Sequence, residues 1–191
     1  QEQKTYFDVL RLTVDDKYSW DFAMLGVGLR YINGVGKPDM LHYVESFGME
    51  GHYDFASNRG YIWSRTFPLL KRALLLGIGQ DNFAYAFPND DYVGKVNCGF
   101  NEQIVTKPHN MYLQIWVQDG LPALLAFLAL YLLLFGRTIR KCFKKGKWNH
   151  SQKISLAFLC GVSGYFVAGL ANDSSICVAP VFWVLFGVAF A

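Results

Sequence analysis

Cysteine is scarce and scattered in this chain: Cys98, Cys142, Cys160 and Cys177 include no pair at zinc-ligand spacing. A metal knuckle and a disulfide framework are therefore excluded as organising devices, and all four read as structural. Charge is scarce as well. Charged residues make up 17% of the sequence against 52% hydrophobic and 17% aromatic, and the mean hydropathy of +0.17 is too apolar for an ordinary soluble domain. A membrane protein is the natural class. Acidic residues are missing altogether from 137–153, where seven bases stand: Arg137, Arg140, Lys141, Lys144, Lys145, Lys147 and Lys153. The other 11 bases face 15 acids, so the net charge of +3 averages one basic segment over a mildly acidic remainder. A basic stretch between apolar runs suits either nucleic acid or positive-inside topology, and the short flanking-loop context favours topology. This assigns 137–153 to the cytoplasm, leaves no nucleic-acid partner, and puts everything before Gly120 outside together with the Asn172-Asp173-Ser174-Ser175 turn. Gln1-Glu2-Gln3-Lys4 has no initiating Met, basic n-region or apolar h-region, so it is neither a signal peptide nor a natural start. Residues 178–191 also stop short of the roughly 20 residues a helix needs to cross a bilayer, and the chain reads as a fragment.

Residues 1–108 read as a large extracytoplasmic region holding 13 of the 15 acids, too long for a structureless loop. Within it, FAMLGVGLRYI at 22–32 is apolar over only 11 residues and reads as an interfacial or packed helix, not a span. An amphipathic helix is expected over about 57–76. Ser57 or Asn58 caps it, Arg59 and Trp63 share one face while Ile62 and Arg65 share another, Pro68 kinks it, and Gly77-Ile78-Gly79 ends it. The polar stretch 81–107 reads as a loop over a site, with Asp90-Asp91 either a cation ligand pair or, the preferred reading, turn chemistry beside Pro88-Asn89. Then follow a transmembrane helix at 109–136, the basic cytoplasmic loop at 137–153, a transmembrane helix at 154–171, an external turn at 172–177 and a truncated transmembrane helix at 178–191. Two starts stay open for the first: a long tilted helix from Asn110, or a fresh helix at Gly120-Leu121-Pro122, with Pro122 in its first turn, after a short surface helix. The fold class is all-α, a polytopic membrane helical bundle with a large extracytoplasmic helical or loop region.

Residues 108–120, PHNMYLQIWVQDG, run straight into the apolar tract 121–135. They place an imidazole, His109, at the doorway of a span, where polar groups must be hydrogen-bonded or face water. A helix N-terminus there offers unpaired N–H groups and partial positive charge to a phosphate. Arg59 and Arg65 would add bidentate contacts to pyrophosphate oxygens, with Arg72 and, less specifically, Lys71 as further cations. An imidazole takes a proton from an alcohol near neutral pH. These parts together describe group transfer from a lipid pyrophosphate to a hydroxyl. The plainer reading is that His109 caps a helix while Arg59 and Arg65 snorkel. His42, His52 and His150 are weaker candidates, and His150 lies on the cytoplasmic side.

In order and spacing, four segments resemble the O-antigen ligase and polymerase family: Ser57-Asn58-Arg59-Gly60-Tyr61-Ile62-Trp63, Leu75-Leu76-Gly77-Ile78-Gly79-Gln80-Asp81-Asn82-Phe83, His109-Asn110-Met111-Tyr112-Leu113 and Gln118-Asp119-Gly120-Leu121. The resemblance spans about residues 57–135. It implies a multi-pass, GT-C-like, metal-independent and inverting glycosyltransferase without a cofactor, in the bacterial cytoplasmic membrane with its active face extracytoplasmic. Such enzymes move a glycan from undecaprenyl pyrophosphate to a saccharide or lipid-linked saccharide acceptor, among membrane lipids. Carried over, His109 is the catalytic base or acceptor-positioning residue and Arg59 the pyrophosphate binder. Trp63, Asn110 and Tyr112 join the substrate-binding set as their motif neighbours, and Arg65 joins it on chemistry alone. The family also uses an arginine from an earlier external loop; Arg11 and Arg30 are the residues at hand, and neither is assigned. Residues 1–56 carry no recognisable motif. The competing class is a non-catalytic polysaccharide-export or glycan-binding membrane protein. The last two apolar runs hold Gly161, Gly164 and Gly169 but no mid-span charge, which counts against transport.

Overall fold

A computed structural model of the chain describes residues 7–14, 16, 18–99, 103–143 and 148–190. Its elements are β1 (Asp8–Val14), β2 (Tyr18–Leu25), β3 (Gly28–Ile32), β4 (Pro38–Asp39), α1 (Phe55–Arg72), α2 (Phe83–Ala86), α3 (Tyr92–Asn97), α4 (Met111–Asp119), α5 (Leu121–Cys142), α6 (His150–Ala168) and α7 (Ala179–Phe190). They fall into two units, residues 1–45 with 88–104, and residues 46–87 with 105–191.

The first unit is built on a four-stranded antiparallel meander, β1-β2-β3-β4. The all-α expectation is corrected here: the chain is mostly helical but carries a sheet, and the helix expected at 22–32 is a hairpin. Trp20, Phe22 and Met24 alternate with Asp21 and Ala23, a period of two that suits a pleated strand. Gly26-Val27 then connects Leu25 to its partner Gly28, and Gly28 adopts φ +110°, which L side chains resist. Continuous apolarity had masked this two-residue connection. In the ladder Arg11 faces Asp21, and its guanidinium donates to both carboxylate oxygens at 2.6 and 2.8 Å, which holds the Asp21 carboxyl below its ordinary range. Arg11 is thus paired with Asp21 on an exposed part of the sheet.

The same unit accounts for the paired acids. Asp91 N-caps α3 by accepting from the Gly94 N–H at 3.0 Å, and Asp90 faces His42 at 3.2 Å. Tyr92 donates to Asp39 at 2.6 Å and packs its ring on Tyr31 at 4.7 Å between centroids. Burial, reinforced by that bond, pushes the Tyr92 hydroxyl up to about 12. The Tyr92 hydroxyl, with the Met40 N–H, holds the Asp39 carboxyl down in turn.

In the second unit, α1 opens abnormally. Ala56, Ser57 and Asn58 take left-handed backbone angles, φ 50°, 59° and 66°, a conformation costing about 1–2 kcal/mol per non-glycine residue. The right-handed helix therefore starts at Arg59, and Ser57 and Asn58 form its strained approach where a cap had been expected. Gly60 is required next, because the His52 carbonyl crosses where a Cβ would sit. Pro68 does not end the helix. It leaves the Ser64 carbonyl without a helical donor, and the Phe47 N–H fills that role at 2.8 Å, so an upstream segment docks where the proline made an opening.

The start of the long apolar helix is decided at Gly120, which separates α4 from α5 with φ +95°. Ile78 N–H donates to the Val117 carbonyl at 2.8 Å, Gly79 N–H to Gln118 at 3.0 Å, and Leu121 N–H to Leu74 at 3.2 Å. A Cβ on Gly120 would overlap the Leu75 carbonyl, and one on Gly77 the Gln118 carbonyl. The Gly77–Gly79 turn and the Asp119-Gly120-Leu121 step are therefore one interlocked structure. Beyond it, α5, α6 and α7 share a core of Leu134, Leu159, Val162, Phe166, Phe182 and Phe186. Phe127 and Tyr131 stack on Phe166 at 4.8 and 3.9 Å. Among the described residues α5 alone is long and apolar enough to cross a membrane, while α7 is apolar but 12 residues long.

Candidate active site

His109 stands on the residue before the N-cap of α4, at φ +52°. Two contacts fix that position. Pro108 is fully buried and its carbonyl accepts the indole N–H of Trp63 at 2.8 Å, tying the segment to α1. The imidazole Nδ1 lies 2.8 Å from Oδ2 of Asp173. The ring is 48% exposed but the carboxylate only 12%. A neutral imidazole that donates from Nδ1 keeps a lone pair on Nε2, so this contact aims the basic nitrogen away from Asp173. Oδ1 of Asp173 is buried without a partner.

Most of the N–H groups at the N-terminus of α4 are already taken, which narrows the expectation of free donors there. Met111 N–H donates to the Gly169 carbonyl at 2.8 Å and Gln114 N–H to the Asn110 carbonyl at 2.9 Å. Tyr112 and Leu113 N–H both donate to the Asn110 side-chain oxygen at 3.0 Å. The orphan donors of Met111, Tyr112 and Leu113 in the first turn are thereby satisfied inside the protein, and the Gln114 bond is the first of the helical ladder. The Asn110 amide also donates to the Leu170 carbonyl at 2.8 Å, and the Tyr112 hydroxyl to Phe166 at 2.6 Å. Asn110 and Tyr112 thus bind the end of α6, and with Gln114, which accepts from the Ser174 N–H at 3.0 Å, they fix the turn that carries Asp173.

Of the two arginines, one shares a helix face with the residue that ties α1 to the His109 segment. Arg59 lies one turn before Trp63 on the same face of α1, and Trp63 is bonded to the residue next to His109. Arg59 donates from Nη1 to the Ala56 carbonyl at 3.2 Å, but its Nε is buried with no partner, an unusual state for a charged donor. Arg65 is separated from it. Six residues on, about 240° around the helix from Arg59, it is 8% exposed, with its guanidinium over the rings of Tyr61 at 4.4 Å and Tyr53 at 4.7 Å and bonded to Ser64 at 2.9 Å. Lys71 and Arg72 are exposed on the last turn.

A cavity of about 1050 Å³ opens beside this constellation, with Asp173 in its wall but not His109, Arg59 or Arg65. Asp173 was not singled out from the sequence. Its signal was topological: a carboxylate in the one short polar turn assigned to the same side as His109.

Fold and site place the chain among mostly helical proteins with a polar centre at the head of an apolar helix. A family model described as O-antigen ligase matches residues 19–128, more than half of the chain, and the chain belongs to that family. Membership carries membrane association and a glycosyltransferase-like activity. No curated protein and no solved structure matches the chain. The match begins inside β2, so residues 19–56, which carry no recognisable motif of their own, belong to the family pattern, while Asp173 lies beyond its end.

Proposed function

We propose that this chain transfers a glycan from undecaprenyl pyrophosphate to a saccharide acceptor at the outer face of a bacterial cytoplasmic membrane, in an inverting, metal-independent step. The observation that carries the reading is the His109–Asp173 pair, 2.8 Å long and seated on a largely buried carboxylate at the head of α4. Asp173 positions the ring, and Nε2 of His109 takes the proton of the acceptor hydroxyl as its oxygen bonds to the donor's anomeric carbon. The bond from that carbon to the pyrophosphate oxygen breaks on the opposite face, and the departing charge falls to Arg59, whose Nε lacks a partner. Arginine thus supplies the positive charge that a divalent ion would otherwise provide. Asn110, Tyr112 and Trp63 serve the reaction by holding His109 and Asp173 in place. Arg65, enclosed by tyrosines, supports α1.

A multi-pass arrangement agrees with the exposed apolar faces. Leu125, Leu132 and Leu133 on α5 and Val181, Val184 and Val188 on α7 are all more than half exposed, an outward surface that a bilayer would cover. The turn bearing Asp173 lies at the His109 end of α5 and the basic residues at the other, as positive-inside topology requires.

The test is transfer by the full-length protein from an undecaprenyl-pyrophosphate glycan, with and without chelator. His109→Ala is expected to lower the rate about 10²–10⁴-fold and Arg59→Ala about 10²–10³-fold, with chelator leaving wild type unchanged. Normal transfer by His109→Ala at normal protein levels would reduce the pair to a structural contact. A non-catalytic glycan-binding role would then stand.

A further inference from the structure

Three consecutive leucines follow α1, and none of them is buried. Leu74, Leu75 and Leu76 are 49%, 71% and 88% exposed, a run of open apolar surface that a chain facing only water does not keep without a use. The segment is not a loose end. Ala73, just before it, is fully buried, and its N–H donates to the Leu69 carbonyl at 3.1 Å. The Leu74 carbonyl accepts the Leu121 N–H at 3.2 Å, and the Leu75 carbonyl is the group that bars a side chain from Gly120. Backbone contacts therefore hold the leucines level with the first residue of α5.

That level follows from α5 itself. Sixteen residues, 121–136, separate the head of the helix from its first charge, Arg137. At about 1.5 Å per residue they rise about 24 Å, less than the hydrocarbon thickness of about 30 Å. A bilayer matched to α5 thus draws the head of the helix, and whatever is tied to it, to the edge of its apolar layer. The charge beside the leucines suits the same place. Lys71 and Arg72 are exposed on the last turn of α1, and residues 55–80 contain no acid. At a membrane surface such bases reach phosphates while their stems stay with the acyl chains.

We propose that residues 74–76 with Lys71 and Arg72 form an interfacial anchor: the leucines enter the leaflet at the head of α5, and the two bases bind its anionic headgroups. The segment dips in from one side, because the 18 residues of α1 carry Arg59, Arg65, Lys71 and Arg72 and cannot span. Since the Ile78 and Gly79 N–H groups donate to the Val117 and Gln118 carbonyls, the anchor also sets the height of α4 relative to the lipid. It requires α5 to span and is independent of glycan transfer.

The experiment is photolabelling of the full-length protein in nanodiscs of phosphatidylcholine and phosphatidylglycerol in equal parts. The phosphatidylglycerol carries a diazirine near the head of one acyl chain, and modified residues are located by mass spectrometry. Labels are expected on residues 74–76 and on the first turns of α5. Leu75→Glu combined with Leu76→Glu should abolish labelling of the segment and leave that of α5, which shows the variant inserted. Lys71→Ala combined with Arg72→Ala should lower it several-fold; unchanged labelling there overturns the headgroup contact. Unlabelled leucines beside a labelled α5 overturn the anchor, since protein or water then covers them. An unlabelled α5 overturns the span and the anchor with it. The unsubstituted protein gives the first result by itself, so it decides even where a variant does not fold. Failure of the transfer reading looks different: His109→Ala keeps transferring while residues 74–76 stay labelled.

Discussion

His42–Asp90 and His109–Asp173 are both imidazole–carboxylate pairs, and they differ in where the carboxylate sits. The imidazoles are equally open, at 46% and 48%, whereas Asp90 is 52% exposed and Asp173 12%. A solvated carboxylate exchanges its partner for water at little cost. A sunken one has no such substitute, so it fixes the orientation of the ring it bonds. The surroundings reinforce the difference, since the Asp173 turn is anchored by Asn110 and Gln114. The same two residue types thus make a surface contact in one unit and an oriented imidazole in the other.

Exchanging the carboxylates is the strongest way to break that contrast. Asp173→Asn, which removes the charge and disturbs the ring's tautomer, is expected to lower transfer about 100-fold with protein level unchanged. Asp90→Asn should leave transfer within about twofold, because an exposed pair contributes under about 1 kcal/mol. Equal losses from both would erase the distinction.

The frame around the buried pair comes next. Gly120→Ala meets the Leu75 carbonyl at a positive φ, so a loss of about 1–3 kcal/mol is expected, read as a lower midpoint of thermal unfolding in detergent, with transfer falling in parallel. Gly136→Ala, on a helix with open space around it, supplies the control and should be neutral or slightly stabilising.

The smallest effect belongs to the exposed pair's own neighbourhood. Tyr92→Phe removes the bond to Asp39 and is expected to cost about 1 kcal/mol without touching transfer. The hydroxyl is raised in the fold, so its contribution is complete below the unfolded value of about 10 and is lost as pH climbs towards about 12. Asp39 is lowered, so its share is present above about 4 and lost as pH falls below that. Amide exchange of the residues around Tyr92 as a function of pH checks both signs. A protection profile flat across both windows would show that the bond contributes nothing.

Much of the site was legible because it depended on spacing along one element. That Arg59 and Trp63 share a face follows from four-residue periodicity, and the placement of His109 at the head of an apolar helix follows from hydropathy. The hairpin at 22–32 was not legible as such, because an unbroken apolar run hides a period of two until the Gly26-Val27 connection is recognised. Nor could spacing reveal that the Gly169 carbonyl takes the Met111 N–H of α4, since the two are about sixty residues apart.

By itself the sequence determined residue chemistry, the helical periodicities and the segregation of charge to one end of the apolar helices, because these depend on neighbours within a turn or two. Tertiary structure alone decided which carboxylate reaches His109, that Arg65 is enclosed while Arg59 keeps an unpartnered nitrogen, and that Gly77 and Gly120 lock two motifs together. Those are contacts between distant segments, and burial gives each of them its strength only once the chain has folded.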